Sequence, residues 1–231
     1  MSKKKKKTGS RVVFVLGDIH LPWCDWGALE EVAEEVRLAK SRGDNVTVVQ
    51  VGDLLDARAW SKYPKGPADE NAQREWDEAE AAMDKLYDLI PEMHILFGNH
   101  DERFAKKAME SMLPRQLVKS LDEYFNFEGW KWHTADEPLE IDGVAFIHGD
   151  NFPIPVPATA ALRLGQSVCY GHTHTAQIQY VVTFKKRLFS MNVGWLGDES
   201  KSAFNYARKS PNRSFRGYGV IIDGVPHLVP L

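Results

Sequence analysis

Cysteine is nearly absent from this 231-residue chain, and the two thiols present, Cys24 and Cys169, are too few for a disulfide framework. The fold must therefore rest on a buried core, and a chain of this length supports one sizeable core rather than two. Long apolar runs are also missing. The longest candidates, such as Val12 to Leu16, stop at a glycine or a charge, far short of the ~20 residues that span a bilayer. No apolar stretch with a small-residue cleavage site follows the lysines at 3–7, so the expected setting is cytoplasmic, with no membrane partner. Acidic residues are lacking at two places. Residues 1–11 hold six Lys/Arg and no acid, and residues 201–222 hold five and no acid, although the whole chain carries a net charge of −3. Much of the compensating acid lies in residues 69–88, which read as a solvated helix face that disfavours docking of a polyanion.

Hydropathy patterning divides the chain in two. Residues 11–16 form a β-branched run ending at Gly17-Asp18, as a buried strand entering a loop does. Leu29, Val32, Ala33 and Val36 then fall on one helical stripe, with Asp25 as N-cap and Gly43 as stop. A strand over 46–51 ends at Gly52-Asp53, and residues 56–68 read as a loop. A second helix puts Trp76, Ala79, Met83, Leu86 and Ile90 on one face and closes at Pro91; a strand over 93–97 ends at Gly98-Asn99-His100-Asp101. Residues 102–125 read as helical and broken at Pro114, with 104–125 either a cap over a crevice or an oligomer contact. From 138 onward short strands dominate: 138–141, 144–148, 167–170, 177–184, 188–192, and a final pair around the Asp223-Gly224 turn, with one short helix near 158–164. The alternating first half argues for a sheet layered with helices. Residues 1–10 read as a disordered basic tail and 11–231 as one domain.

Five predicted strands end in glycine beside Asp, Asn or His: Gly17-Asp18-Ile19-His20, Gly52-Asp53, Gly98-Asn99-His100-Asp101, His148-Gly149-Asp150 and Gly171-His172-Thr173-His174. Any one alone is usually a turn, because glycine accepts positive φ and aspartate bonds its own backbone. Together they place polar groups at the carboxyl ends of strands, where layered sheets form a crevice. Five of the eight histidines lie in these motifs. Histidine and carboxylate donors without cysteine suit borderline or hard divalent ions. The period-two spacing of His172 and His174 puts both rings on one face of an extended segment. One ion would leave several donors idle, whereas two ions sharing a carboxylate use them all.

This ordered set resembles the calcineurin-like metallophosphoesterases, and the short form is similar to compact members from bacteriophage and bacterial genomes. The resemblance implies an α/β fold, a four-layer α/β/β/α sandwich of two mixed sheets flanked by helices. It implies two divalent ions, with Mn²⁺ first in expectation and Fe²⁺, Zn²⁺, Ni²⁺ or Mg²⁺ as alternatives. Asp18, His20 and His174 would take one ion, Asn99, His148 and His172 the other, and Asp53 would bridge. His100 would face the substrate as general acid for hydroxide attack on phosphorus, with Asp101 orienting it. The aspartate after His100 departs from the glutamate more frequent in the protein-phosphatase branch, which makes protein dephosphorylation a weaker expectation.

Arg103 reads as a phosphate contact or a surface salt bridge, and Asp56 as a structural loop residue. His94, His133 and His227 read as ordinary residues, and Asn192 as a turn asparagine. Arg58, Trp60, Lys62, Tyr63 and Lys65 interleave cations with aromatics, as do residues 206–218. Such surfaces hold phosphates while stacking bases, which points to single-stranded nucleic acid or a nucleotide as the phosphate-ester substrate, although loops also need polar cover and buried aromatics. The expected function is a phosphodiesterase or nuclease, with a phosphomonoesterase as the alternative and an inactive scaffold as a distant third.

Overall fold

In the computed structural model, which describes residues 9–62, 71–151, 157–201 and 214–231, the apolar run at 11–16 forms strand β1 (Arg11–Leu16) at the heart of a six-stranded sheet. Its side chains alternate between two cores. Val12, Phe14 and Leu16 pack on the helical side, and Val13 and Val15 on the other, which is why the run is apolar throughout. Strand β2 (Asn45–Gln50) and β3 (Met93–Leu96) continue the sheet in parallel, and β4 (Trp130–His133) pairs with β3 at the edge. On the other flank, β10 (Gly217–Ile222) runs antiparallel to β1 and returns as β11 (Val225–Pro230). Asp223 and Gly224 both hold positive φ in the tight turn between them, as a two-residue hairpin requires.

The second sheet is built from β5 (Leu139–Ile141), β6 (Val144–Phe146), β7 (Ser167–Tyr170), β8 (Ala176–Val182) and β9 (Arg187–Val193), in the order β5-β6-β7-β9-β8. Val144, Phe146, Cys169, Phe189, Met191 and Val193 meet the first sheet across a shared apolar layer. Helices α1 (Trp26–Ser41) and α2 (Ala72–Leu89) cover the outer face of the first sheet, and α5 (Pro157–Leu164) packs on the second with Ala160 and Ala161 against Val168 and Leu188. The arrangement is the expected α/β/β/α sandwich.

Helix α1 starts at the expected cap: Asp25 is extended at φ −84° and accepts from the Ala28 amide at 3.1 Å, and Gly43 at φ +84° follows its end. The Asp25 carboxylate also meets Arg216 Nη1 at 2.8 Å. Asp25→Ala is expected to lower unfolding free energy by ~1 kcal/mol, read as an earlier urea midpoint, because the Ala28 amide loses its acceptor. An unmoved midpoint would contradict the capping role.

Residues 103–124 contain α3 (Arg103–Glu110), a 3₁₀ turn (Arg115–Leu117) and α4 (Leu121–Tyr124), so the helical stretch is broken at Pro114 as expected. Strand β4 had no sequence signal: Trp-Lys-Trp-His is short and its charge interrupts any apolar run. It forms because β3 offers an unpaired edge, and Trp130 Nε1 donates to the Ile90 carbonyl at 2.9 Å. The acidic face of α2 has one exception. Glu75 is buried and accepts from the Arg58 and Ala59 amides at 2.5 and 2.7 Å, fixing a 3₁₀ turn (Arg58–Trp60) beside the crevice.

Candidate dinuclear metal centre

The five glycine-bearing motifs leave β1, β2, β3, β6 and β7 at one end of the two sheets and meet there. Donor atoms of Asp18, His20 and His174 lie within 4.8 Å of one another, and so do those of Asp53, His148 and His172. Asp53 also belongs to a third such group with His20 and His100, so one carboxylate faces donors on both sides. Its Oδ2 is 3.3 Å from His148 Nε2 and 3.8 Å from His100 Nε2, and its Oδ1 accepts from the His100 amide at 2.8 Å. Asn99 Oδ1 is 3.0 Å from His148 Nε2.

These residues fit a pair of cations. His148 Nδ1 donates to the Val51 carbonyl at 2.9 Å, which fixes the ring and leaves Nε2 facing the cluster. His20 Nδ1 meets Asp56 Oδ1 at 2.9 Å, with the same consequence for its Nε2. His20 Nε2 and His174 Nε2 then face each other at 3.0 Å, and His148 Nε2 and His172 Nδ1 at 3.2 Å. Lone pairs from several imidazoles and carboxylates converging in this way are what divalent ions bind.

Local backbone is bent to achieve this. Asp18, His20, Asp53, His172 and His174 all hold φ between 25° and 67°, a left-handed conformation that costs about 1–3 kcal/mol at each non-glycine position and persists only where the surroundings enforce it. The glycines serve close approach. A methyl on Gly98 would overlap the Asp53 amide and carboxylate, and one on Gly171 would overlap the Asp18 carboxylate.

Burial governs the charges. It raises the Asp18 pKa to about 8, with the neighbouring Asp53 charge adding to the effect. Burial also opposes ionisation of Asp53, but the positive charges of His148 and His100 outweigh it and hold its pKa well below the usual carboxylate value. His174 is pushed well below an ordinary histidine by burial and by His20. For His100, burial favours the neutral ring, yet the Asp53 charge and the Asp56 hydrogen bond prevail and raise its pKa.

The model of the calcineurin-like phosphoesterase family matches residues 11–176, nearly three quarters of the chain and every motif at the crevice. The chain belongs to the calcineurin-like phosphoesterase family. Two relatives, both the Gene 54 protein of a mycobacteriophage, L5 and D29, are each 26% identical, with 96% of this chain and 94% of the relative covered. Among solved structures, a metallophosphoesterase from Sphaerobacter thermophilus aligns with a TM-score of 0.46 and 13% identity over 96% of this chain and 88% of that one. Chaetomium thermophilum Vps29 aligns at 0.42 with 11% identity over 91% and 78%.

Within this family member, several expectations need correction. Asp101 does not orient His100. Its buried carboxylate accepts from the backbone amides of Leu54, Leu55 and Gly98 at 3.2, 2.8 and 2.8 Å, tying the Gly-Asp loop to the Gly-Asn-His-Asp loop. Asp56 takes the orienting place instead of a mere loop role: its carbonyl and Oδ1 lie 2.9 and 3.1 Å from His100 Nδ1. The segment with His172 and His174 is not extended, and its two rings diverge into the two donor groups. Arg103 makes no carboxylate pair among the described residues; Nη1 donates to the carbonyls of Asp56 and Ala57 at 2.6 and 3.4 Å. Trp60 packs edge-on among Trp76 and Phe104 with centroids 6.5 and 4.5 Å away, while Arg58 is half-buried in the same turn.

Of the basic, aromatic C-terminal stretch, Tyr218 is core against Phe14 and Arg216 pairs with Asp25. Tyr206, Arg208, Lys209 and Arg213 fall outside the described residues, as do Tyr63, Lys65 and the lysines at 3–7. Asn192 is no turn residue. Buried in β9, it donates to Thr173 Oγ1 and, at 3.2 Å, to Thr175 Oγ1, bracing the His-Thr-His bend. Trp195 had gone unnoticed in the sequence. It is fully buried and stacks on His174 at 4.7 Å with an interplanar angle of 8°, and the only advance signal was its place just past Asn192-Val193-Gly194. His94 and His133 stack across β3 and β4, with Nδ1 and Nε2 2.9 Å apart.

Proposed function

We propose that this family member is a dinuclear-metal-dependent phosphodiesterase acting on nucleic acid or nucleotides. The observation that carries the reading is the buried Asp53 carboxylate facing histidine donors on both sides, with His100 at the rim. Asp18, His20 and His174 would hold one ion, Asn99, His148 and His172 the other, and Asp53 both; this donor set suits Mn²⁺, and also Fe²⁺, Zn²⁺, Ni²⁺ or Mg²⁺. Such ions supply a nucleophile from water near neutral pH and withdraw charge from phosphoryl oxygens.

The chain's own residues do the rest. His100 Nε2, on a ring whose pKa Asp53 and Asp56 raise against the effect of burial, donates its proton to the leaving alkoxide. Asp56 keeps Nδ1 bonded and so fixes the ring plane, and Arg103 anchors the Asp56 carbonyl. Asp101 holds the two loops in register, which keeps Asp53 and His100 at their separation.

The test is a panel of substrates with the Mn²⁺-loaded protein: bis-p-nitrophenyl and p-nitrophenyl phosphate, cyclic nucleotides and oligonucleotides. Diesters are expected to turn over, and activity to vanish with chelator; monoester-only turnover would overturn the reading. His100→Ala is expected to retain its metal, measured by elemental analysis, and to lose ~10²–10⁴-fold on a dinucleotide, whose alkoxide needs a proton to leave. The loss on bis-p-nitrophenyl phosphate should be smaller, since phenolate departs readily. Undiminished dinucleotide cleavage would remove the acid role.

A further inference from the structure

Helix α3 has two faces. Phe104, Ala105, Ala108 and Met109 turn toward an apolar pocket against Phe97 and Leu121. Arg103, Lys106, Lys107 and Glu110, at i, i+3, i+4 and i+7, turn the other way. That second face, with Trp60, Ser61 and Lys62, walls a groove of about 260 Å³ whose lining also includes Asn99. Among the described residues, four of the five charged ones lining the groove are cations. The groove therefore joins a residue of the candidate metal centre, Asn99, to a cationic wall.

We infer that this groove is the track for a single-stranded nucleic acid, seating the nucleotides next to the scissile phosphate with their phosphates on Lys106 and Lys107 and a base against Trp60. The inference rests on the phosphodiesterase reading for its direction, since Asn99 marks where the chemistry would occur. Three properties of the groove suit this ligand. The lysines are available: among the described residues Lys106 and Lys107 pair with Glu102 and Glu110, at 2.6 and 2.5 Å, with 53% and 44% of their side chains exposed, and ion pairs so exposed hold a lysine weakly. The aromatic wall is rigid, because Trp60 is locked by Phe104 and Trp76, and a fixed ring stacks any base without ordering cost. The floor is fixed too, because Arg103 bonds the Asp56 and Ala57 carbonyls and Glu75 fixes the turn that carries Trp60. A row of cations beside a stacking platform, continuous with the reaction centre, matches a polynucleotide, whereas a small monoester would leave the outer lysines unused.

Lys106→Ala combined with Lys107→Ala tests this, since alanine preserves the helix and neither lysine belongs to the proposed catalytic machinery. The probe is a fluorescent single-stranded oligonucleotide of twelve phosphorothioate-linked nucleotides, which resists cleavage, titrated against the Mn²⁺-loaded full chain by anisotropy. The double variant is expected to bind at least tenfold more weakly, and the slope of log affinity against log salt to fall by about 1.4, the value for two lost phosphate contacts on a single strand. Turnover of bis-p-nitrophenyl phosphate, too small to reach the lysines, should stay within twofold of the parent. Unchanged affinity and salt slope would overturn the groove while leaving the phosphodiesterase reading in place. Conversely, a parent protein inert on every diester but showing the predicted binding loss would sink that reading and keep the groove.

Discussion

Asp53→Asn is expected to yield a folded chain that retains at most one divalent ion and cleaves diesters at least ~10³-fold more slowly. The expectation follows from what the substitution removes and what it keeps. Asparagine preserves shape and can still accept the His100 amide hydrogen bond made now by Oδ1, so the loop between β3 and α3 keeps its tie. The substitution removes the one negative charge shared by donors on both sides of the cluster. Two cations cannot then be neutralised together. A loss of ~4 kcal/mol of transition-state stabilisation corresponds to about 10³-fold in rate. Elemental analysis of the gel-filtered protein and diester turnover measure both effects. Two ions per chain with parental turnover would show that Asp53 is not the shared ligand.

Gly98→Ala should be nearly as damaging although it touches no donor. The added methyl would overlap backbone and carboxylate atoms of Asp53, and neither is the free end of a flexible chain. Asp53 is already held at φ 55° by its neighbours, so it has no relaxed position to move into. Overpacking of this kind costs about 1–3 kcal/mol of stability. Displacing a ligand by about 1 Å costs ~10²-fold in rate. Gly27→Ala is the control, because its new methyl meets only the Asp25 carboxylate at an ordinary 3.4 Å. If Gly98→Ala matched that control in melting temperature, metal content and rate, the close approach of the two loops would be disproved.

Much of the site was legible because its donors are adjacent to strand ends, and strand ends announce themselves by hydropathy. The break from apolar residues to Gly-Asp at 17–18 and 52–53 marked both the end of a buried strand and the presence of a carboxylate. Roles that depend on neighbours distant along the chain were not legible. Asp101 follows His100 directly and was the natural choice to orient it, yet its side chain turns back onto three amides. Asp56, 44 residues earlier, reaches the ring because β2 and β3 lie side by side and their loops cross. The burial of Glu75 had the same origin: α2 carries five other acids, none of them buried, and it is the turn at 58–60 that gives the Glu75 carboxylate two amides from which to accept. Likewise the divergence of His172 and His174 follows from left-handed backbone at both, which period-two spacing cannot reveal.

The order of apolar and polar residues thus determined, without any coordinates, the layered strand-and-helix plan and the kinds of donor that each strand end carries, because burial and periodicity are local properties of the chain. Which donor faces which, which aspartate serves His100, and where the cationic face of α3 lies against Trp60 were decided only by tertiary packing. Hydrogen bonds, close approach and electrostatic coupling act over a few ångströms between segments tens to hundreds of residues apart, and the folded structure alone sets those distances.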